Sequence, residues 1–322
     1  MRCSLVTALT LLLPLTIAAC GTANGDASAA EPASAEPATV TVSTKAGDVE
    51  VPRHPQRVVA LDSTSFETLQ AFGITPVAAP KQLLPKDLNA WKDDANILDV
   101  GTHREPKLEV VAQAQPDLII GGKRFEKVTA DLQKAGTVID IAPSTEQEGY
   151  VEALKQQTTT LGEIFGQETK AAELNDALDS SIERAAAVST GQSVFLANHN
   201  GGKIDNAAGR IGVLLQPLDM TDVFDTEANS ESIHQDSGLA PETVAQENPD
   251  VMIVMDRDAA VSTPGGEAPT PASRTVEAQT AWANTTFVQN NDIIYLRDTF
   301  YVTEGIQAYT DAYTQIAETL GQ

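Results

Sequence analysis

Two arginines end two closely similar stretches of this sequence. Arg124 ends LEVVAQAQPDLIIGGKR, residues 108–124, and Arg257 ends PETVAQENPDVMIVMDR, residues 241–257; the two stretches align without a gap. An arginine keeps its charge at physiological pH and presents planar hydrogen-bond donors, so it suits the binding of an anion. The duplicated arginine therefore predicts a site for an anionic ligand.

The predicted elements place both arginines where a ligand would reach them. In each stretch a short helix leads through Asp117 or Asp250 into an apolar strand, and the arginine follows at the carboxyl end of that strand. Ligands of open α/β sheets bind outside the carboxyl ends of the strands. Two lobes built in this way would present their arginines to each other across a cleft. The alternative is a local role, because Asp256 and Asp258 flank Arg257 as possible ion-pair partners.

The surrounding sequence predicts an α/β fold with mainly parallel sheets. Short apolar runs such as VVAL at residues 58–61 are typical of buried parallel strands, and they alternate with helical segments. Two successive helical segments with no strand between them interrupt this alternation, and the second has the pattern of one continuous helix. At 322 residues the chain exceeds one average domain. We therefore predict a first lobe over 38–165, one long inter-lobe α-helix over 166–189 and a second lobe over 190–322.

The amino terminus predicts export and lipid attachment. Residues 1–19 have the pattern of a signal peptide, with an apolar run too short to span a bilayer and small residues before Cys20. The segment LTIAAC, followed by glycine, resembles a bacterial lipobox, in which this cysteine is lipidated; an ordinary secretory signal is the alternative. Residues 20–37 are small, acidic and dotted with proline, as in a flexible linker. We therefore expect a lipid-anchored protein on the outer face of the cytoplasmic membrane.

Composition and motifs argue against several other classes of function. The formal net charge of −24 disfavours a nucleic-acid partner, because nucleic-acid-binding proteins carry basic surfaces. The sequence contains no H-E-x-x-H, G-x-S-x-G or phosphate-loop motif, and its four histidines are spread over separate segments. We therefore predict that the protein is not an enzyme. The sparse histidines also disfavour a zinc or manganese receptor.

The chain from residue 38 to its end resembles the helix-hinged (class III) substrate-binding proteins of ABC importers for ferric siderophores, haem and vitamin B12. The resemblance rests on the lipobox, the P-x-x-P-x-R-V-V opening at Pro52–Val59, the block REPKLEVVAQAQPDLII, the long helix and the late strand IIYL. The family implies two Rossmann-like lobes with a ligand cleft between them. Among its subgroups, the sequence is most similar to the binders of ferric catecholate siderophores.

The catecholate subgroup implies a third arginine in a glycine-containing loop, which AAGRIGVLL matches at Arg210. Three arginines would balance the charge of a trianionic ferric tris-catecholate and would stack on its rings. Carboxylate chelators of the citrate type suit the same cations. The resemblance therefore implies a ferric siderophore as the transient ligand, with no permanently bound cofactor. A receptor for haem, for another iron chelate or for vitamin B12 is the alternative.

The same relatives imply a role for two further side chains. In them a histidine and a tyrosine complete the coordination of iron when the siderophore supplies only four oxygens. His234 and Tyr301 occupy the corresponding places here, and both side-chain types are reasonable ligands of ferric iron. The alternative is a surface-loop histidine and a core tyrosine. The sequence departs from the subgroup at Phe300, where tryptophan is common, and at Ile211, where an aromatic residue is usual.

The duplicated stretches also carry one glutamate each, Glu109 and Glu242, at the start of the short helix. In the family, one glutamate at the tip of each lobe pairs with arginines of the permease. The resemblance thus implies a monomer that docks onto an ABC permease dimer with its ATPase. The alternative is a glutamate that only stabilises the beginning of a helix through the helix dipole.

Overall fold

The chain folds as an α/β protein with one mainly parallel sheet on each side of a long helix, which confirms the predicted fold class. The structure is a computed structural model that describes residues 38–144, 149–224, 239–261 and 268–322. Within these ranges, no helix is both long and apolar enough to cross a lipid bilayer.

The first lobe begins with an antiparallel hairpin and continues into a parallel sheet. The hairpin consists of β1 (Thr39–Thr44) and β2 (Gly47–Pro52). The sheet strands are β3 (Val58–Ala60), β4 (Ala78–Ala79), β5 (Leu98–Asp99), β6 (Leu118–Gly121) and β7 (Val138–Asp140), and they lie in the order β5-β4-β3-β6-β7. The helices are α1 (Phe66–Ala71), α2 (Asn89–Asp93), α3 (Leu108–Gln113), α4 (Thr129–Leu132) and α5 (Tyr150–Phe165).

The second lobe follows the long helix α6 (Glu168–Val188). Its strands are β8 (Gln192–Asn200), β9 (Lys203–Asn206), β10 (Met220–Asp222), β11 (Val251–Asp256) and β12 (Ile293–Tyr295). The order is β10-β8-β11-β12, all parallel, and β9 pairs with β8 in the antiparallel direction. The helices are α7 (Ala208–Ile211), α8 (Pro241–Glu247), α9 (Arg257–Ala260), α10 (Ala272–Glu277), α11 (Thr286–Asn290), α12 (Phe300–Thr303) and α13 (Ile306–Leu320).

Each sheet is the middle layer of a three-layer lobe. In β3, Val58 and Val59 pack in hydrophobic cores on opposite faces of the sheet, and Ile253 and Val254 of β11 divide in the same way. Successive side chains of a strand point to opposite faces, so a strand covered on both sides must be apolar at every position. This requirement explains why both strands are continuous apolar runs.

Helix α6 belongs to both lobes. Its Ala171 packs in the core of the first lobe, whereas Leu178 and Ala185 pack in the core of the second. The preceding helix ends at Gly166, which adopts a left-handed conformation with φ of 64°. A Cβ atom at this position would lie 2.3 Å from the ring of His54, so glycine alone fits and the helix direction changes there. Helix α6 begins after that turn, inside the predicted segment 166–189.

The shared Pro-Asp of the two duplicated stretches has the same structural role in both lobes. The Asp117 carboxylate accepts hydrogen bonds from the backbone N–H groups of Gln56 and Arg57, at 2.8 Å and 2.9 Å. The Asp250 carboxylate accepts from the N–H and the hydroxyl of Ser193, at 2.9 Å and 2.7 Å. Each aspartate therefore ties the amino end of a central strand to the neighbouring strand, which leaves the carboxyl ends for the site.

Candidate functional site

Two arginines of the second lobe lie over the ring of Tyr301. The Cζ atoms of Arg210 and Arg257 are 4.3 Å and 5.4 Å from the centre of that ring, within the range of a cation–π interaction. Arg257 also donates a hydrogen bond from Nε to the Tyr301 hydroxyl at 3.3 Å. The structure thus brings together three of the residues that the sequence suggested.

The fold brings these three side chains together from three different elements of the second lobe. Arg257 is the first residue of α9 and follows β11 directly, whereas Tyr301 lies in α12, shortly after β12. Arg210 lies in α7, which follows β9. Parallel neighbouring strands end at the same edge of a sheet, so Arg257 and Tyr301, which follow β11 and β12, meet there. Strand β9 is antiparallel to β8, so Arg210 reaches the cluster through α7 and not from that shared edge.

Asn200 holds Arg257, and a buried polar network lies among the residues next to both of them in sequence. Arg257 Nη1 donates to Asn200 Oδ1 at 2.8 Å. The neighbouring Asp256 lies with Oδ1 2.9 Å from His199 Nδ1, and His199 Nε2 lies 3.0 Å from Thr275 Oγ1. Burial alone would raise the pKa of Asp256, but the hydrogen bond with His199 and two backbone N–H groups lower it. No motif marks His199 in the sequence, although it stands near the end of the predicted strand SVFLANHN.

The acids that flank Arg257 are used elsewhere. Asp256 caps α9 and accepts hydrogen bonds from the N–H groups of Ala259 and Ala272. Asp258 accepts from the backbone N–H groups of Gly201 and Gly202, both at 2.9 Å. Within the described residues, neither carboxylate forms an ion pair with Arg257. The alternative role of this arginine, as the ion-pair partner of a neighbouring acid, is therefore not found there.

Arg210 has a counter-ion of its own. Its Nε and Nη2 donate to the two carboxylate oxygens of Glu304 at 2.8 Å and 2.7 Å, and Nη2 also donates to the carbonyl oxygen of Tyr301 at 2.9 Å. Burial works to lower the pKa of Arg210, but the charge and hydrogen bonds of Glu304 offset this effect and raise it. Glu304 was not among the predicted site residues, because nothing in the segment YVTEG marks this acid as the partner of an arginine in a distant loop.

Arg124 approaches this cluster from the first lobe. It lies in the 3-10 turn Lys123–Val128, directly after β6. Burial lowers the pKa of Arg124, and repulsion from Arg210 lowers it further, whereas Glu304 and Tyr301 act in the opposite direction. Three residues of the second lobe thus act on the Arg124 guanidinium through their charge. Among the described residues, Arg124 forms no hydrogen bond or ion pair, so it is the arginine most available to a ligand.

A buried carboxylate supports the loop that carries Arg124. Asp62 stands just after β3, is 3% exposed, and accepts hydrogen bonds from the Thr64 hydroxyl at 2.7 Å and from Gln157 Nε2 at 2.8 Å. A Cβ atom on Gly122 would lie 2.8 Å from Asp62 Oδ1, so the aspartate packs directly against the turn before Arg124. Asp62 was not among the predicted site residues, although it directly follows the predicted strand VVAL and ligands bind beyond the carboxyl ends of strands.

His103 also lies near Arg124. Burial lowers the pKa of His103, and the positive charges of Arg124 and Arg104 lower it further. Its buried Nδ1 has no hydrogen-bond partner among the described residues. No role for His103 was predicted from the sequence, because it stands in a turn without a motif.

The remaining predicted residues lie apart from the cluster or outside the described ranges. Glu109 and Glu242 are exposed and stand in the first turns of α3 and α8, at equivalent places in the two lobes. His234 and Cys20 lie outside the described residues. Within the described part of the chain, no group of three or more histidine, cysteine, aspartate or glutamate residues is arranged to hold a metal ion.

Comparisons with known proteins agree with this fold. The family model described as periplasmic binding protein matches residues 58–299. The petrobactin-binding protein YclQ of Bacillus subtilis is 28% identical and covers 96% of both chains, and the ferric-anguibactin-binding protein FatB of Vibrio anguillarum is 25% identical over 80% of both. The crystal structure of the periplasmic catecholate-siderophore binding protein VctP of Vibrio cholerae has a TM-score of 0.75, with 26% identity over 86% of this chain and 99% of that one.

The buried Asp62 predicts a pH-dependent stability. Burial raises its pKa from 3.8 to about 6 in the folded protein, so the folded state binds this proton more tightly than the unfolded chain. The stabilisation from this proton is present below about pH 4 and is lost as the pH rises to about 6. We expect Asp62→Asn to gain in free energy of unfolding relative to the wild type over that interval, by roughly 3 kcal/mol at most.

Unfolding by urea at pH 4.5 and pH 7.5 measures this difference. The exposed Asp131, which pairs with Lys134, gives the control Asp131→Asn. A difference between Asp62→Asn and wild type that stays constant across these pH values would contradict the assignment.

Proposed function

Because this chain belongs to the periplasmic binding protein family, we propose that it captures a ferric siderophore of the catecholate type outside the cytoplasm and delivers it to an ABC importer for iron uptake. The relatives of this chain are binding proteins and not enzymes, which confirms the prediction from the sequence that the protein is not an enzyme. Two of them are named for the siderophores petrobactin and anguibactin, and a third for catecholate siderophores.

The observation that carries this proposal is the pair of arginines over the ring of Tyr301, Arg210 and Arg257, with Arg124 of the first lobe acting on Arg210 through its charge. A half-buried anion needs fixed cations, because it loses the solvation of water. Guanidinium groups provide them and also stack on flat rings, as Arg210 already does on Tyr301. Catecholate complexes of iron combine negative charge with aromatic rings, so they match both properties of the cluster.

We further propose that Tyr301 and His234 complete the coordination of iron when the bound siderophore is tetradentate. Support comes from the place of Tyr301 in the cluster, where a phenolate would face the guanidinium groups of Arg210 and Arg257. His234 enters this proposal through the resemblance alone, because it lies outside the described residues. The iron belongs to the ligand and leaves with it.

The delivery step assigns roles to three other residues. Glu109 and Glu242 are exposed at equivalent places in the two lobes, which suits docking onto the two halves of a permease dimer. Cys20 would carry the lipid that anchors the monomeric protein to the outer face of the cytoplasmic membrane. Neither role requires a contact with the cleft.

We expect ferric catecholates to bind the wild type and to quench its tryptophan fluorescence. We expect the variant Arg124→Gln to bind them about thirtyfold or more weakly, because a cation that faces the ligand is lost. Calorimetry with ferric catecholate, hydroxamate and citrate complexes and with haem measures the affinities. The variant Arg274→Gln is the control, since this arginine is exposed and pairs with Glu277. Tight binding of haem with no binding of any ferric siderophore would refute the proposed ligand.

Coordination by Tyr301 predicts a visible absorption band. A tetradentate ferric bis-catecholate should gain a phenolate-to-iron charge-transfer contribution on binding, and Tyr301→Phe should remove it because the phenylalanine ring cannot ligate iron. Absorption spectra of the two complexes at matched saturation measure the effect. An identical spectrum and affinity in the variant would assign Tyr301 to packing and cation–π contacts alone.

The docking glutamates should separate transport from binding. The double variant Glu109→Ala/Glu242→Ala is expected to bind ferric siderophore with unchanged affinity, because both side chains are exposed at helix starts away from the cluster. Its stimulation of the transporter's ATPase should fall by more than in either single variant, since each exposed ion pair contributes only about 0–1 kcal/mol. Loss of ligand binding, or full ATPase stimulation, would contradict these roles.

A further inference from the structure

The carboxylate of Glu304 is built into the cluster of arginines. Its contact with Arg210 is bidentate, and the two side chains are only 15% and 13% exposed. The Glu304 backbone adopts a left-handed conformation with φ of 49°, unusual for a residue other than glycine. The carbonyl oxygen of Glu304 accepts a hydrogen bond from the Tyr150 hydroxyl at 3.0 Å. The acid is therefore fixed in place by contacts on both its backbone and its side chain.

Glu304 changes the charge that the cleft presents to a ligand. Arg124, Arg210 and Arg257 supply three positive charges, and one of them is neutralised by Glu304, which leaves two. Within the described residues, Arg124 and Arg257 have no carboxylate ion-pair partner. The buried Asp62 also acts on Arg124 through its charge, from the first-lobe side. Among the described residues, the three arginines thus offer fewer unneutralised positive charges than the three negative charges of a trianionic ligand.

We propose that Glu304 is a specificity-determining residue that favours ferric complexes of low negative charge, such as a monoanionic bis-catecholate, over the trianionic tris-catecholate. This inference rests on the proposed function. Ferric iron with two dianionic catecholates has one net negative charge, whereas a third catecholate brings the complex to three.

Two physical effects support this preference. The Glu304 carboxylate repels an anion that enters the half-buried cleft, and the repulsion grows with the charge of that anion. The same carboxylate also occupies two donors of Arg210, so a ligand finds fewer free guanidinium N–H groups on this side of the cleft. The ligand loses both attraction and hydrogen bonds, and the more highly charged complex loses more.

The test compares the affinities of one tris-catecholate and one bis-catecholate ferric complex for the wild type and for Glu304→Gln. Glutamine keeps the length of the side chain and an oxygen that accepts from Arg210, but it removes the negative charge. We expect the ratio of affinities to shift toward the tris-catecholate by about tenfold or more. Fluorescence quenching and calorimetry measure both constants, and thermal melts verify that each variant folds.

Two controls separate charge from shape and from general effects. Glu304→Asp keeps the charge and should retain the wild-type ratio, whereas Glu277→Gln removes an exposed acid that pairs with Arg274 and should leave the ratio unchanged. An unchanged ratio in Glu304→Gln, or an equal shift in Glu304→Asp, would overturn the inference while the proposed function stands. If neither complex binds the wild type, the proposed function itself is wrong.

Discussion

The site depends on holding positively charged side chains together in a partly buried place. Arg210 and Arg257 both lie over the ring of Tyr301, and Arg124 approaches from the other lobe closely enough for Arg210 to lower its pKa. Like charges at such distances repel each other, and burial strengthens the repulsion. The π-electrons of the tyrosine ring and the carboxylate of Glu304 offset part of this cost. The remaining positive charge suits the anionic ligand that we propose.

The fold makes this arrangement possible by separating structural contacts from functional ones. At the amino ends of the central strands, Asp117 and Asp250 bind backbone groups of the neighbouring strands. The carboxyl ends are thereby left to carry Arg124, Arg257 and Tyr301, which follow β6, β11 and β12. Helix α6 packs in the cores of both lobes, so the two halves of the site are joined by one continuous element.

Sequence reasoning predicted the parts of the site that follow periodic or repeated patterns. Arg124 and Arg257 emerged from the gapless repeat, and the α/β fold emerged from the alternation of apolar runs and helices. Arg210 and Tyr301 required the resemblance to a family, because neither stands in a repeated segment. The structure brings both of them to the cluster with Arg257.

The rest of the site could not be predicted because it depends on contacts between distant residues. Glu304 meets Arg210 only after the second lobe has folded, and its left-handed backbone has no signature in the sequence. The network of His199, Asp256 and Thr275 similarly joins three elements. In both cases the side chains are ordinary in type, and only their positions in the fold give them a role.

The central claim is that arginines from both lobes hold one anionic iron complex. A crystal structure of the protein with a gallium(III) bis-catecholate tests it most directly, because gallium is a redox-inert substitute for ferric iron. We predict that catecholate oxygens lie within hydrogen-bonding distance of Arg124 and Arg257, with Arg210 still paired to Glu304. A complex bound without contact to Arg124, or bound to one lobe only, would contradict the claim.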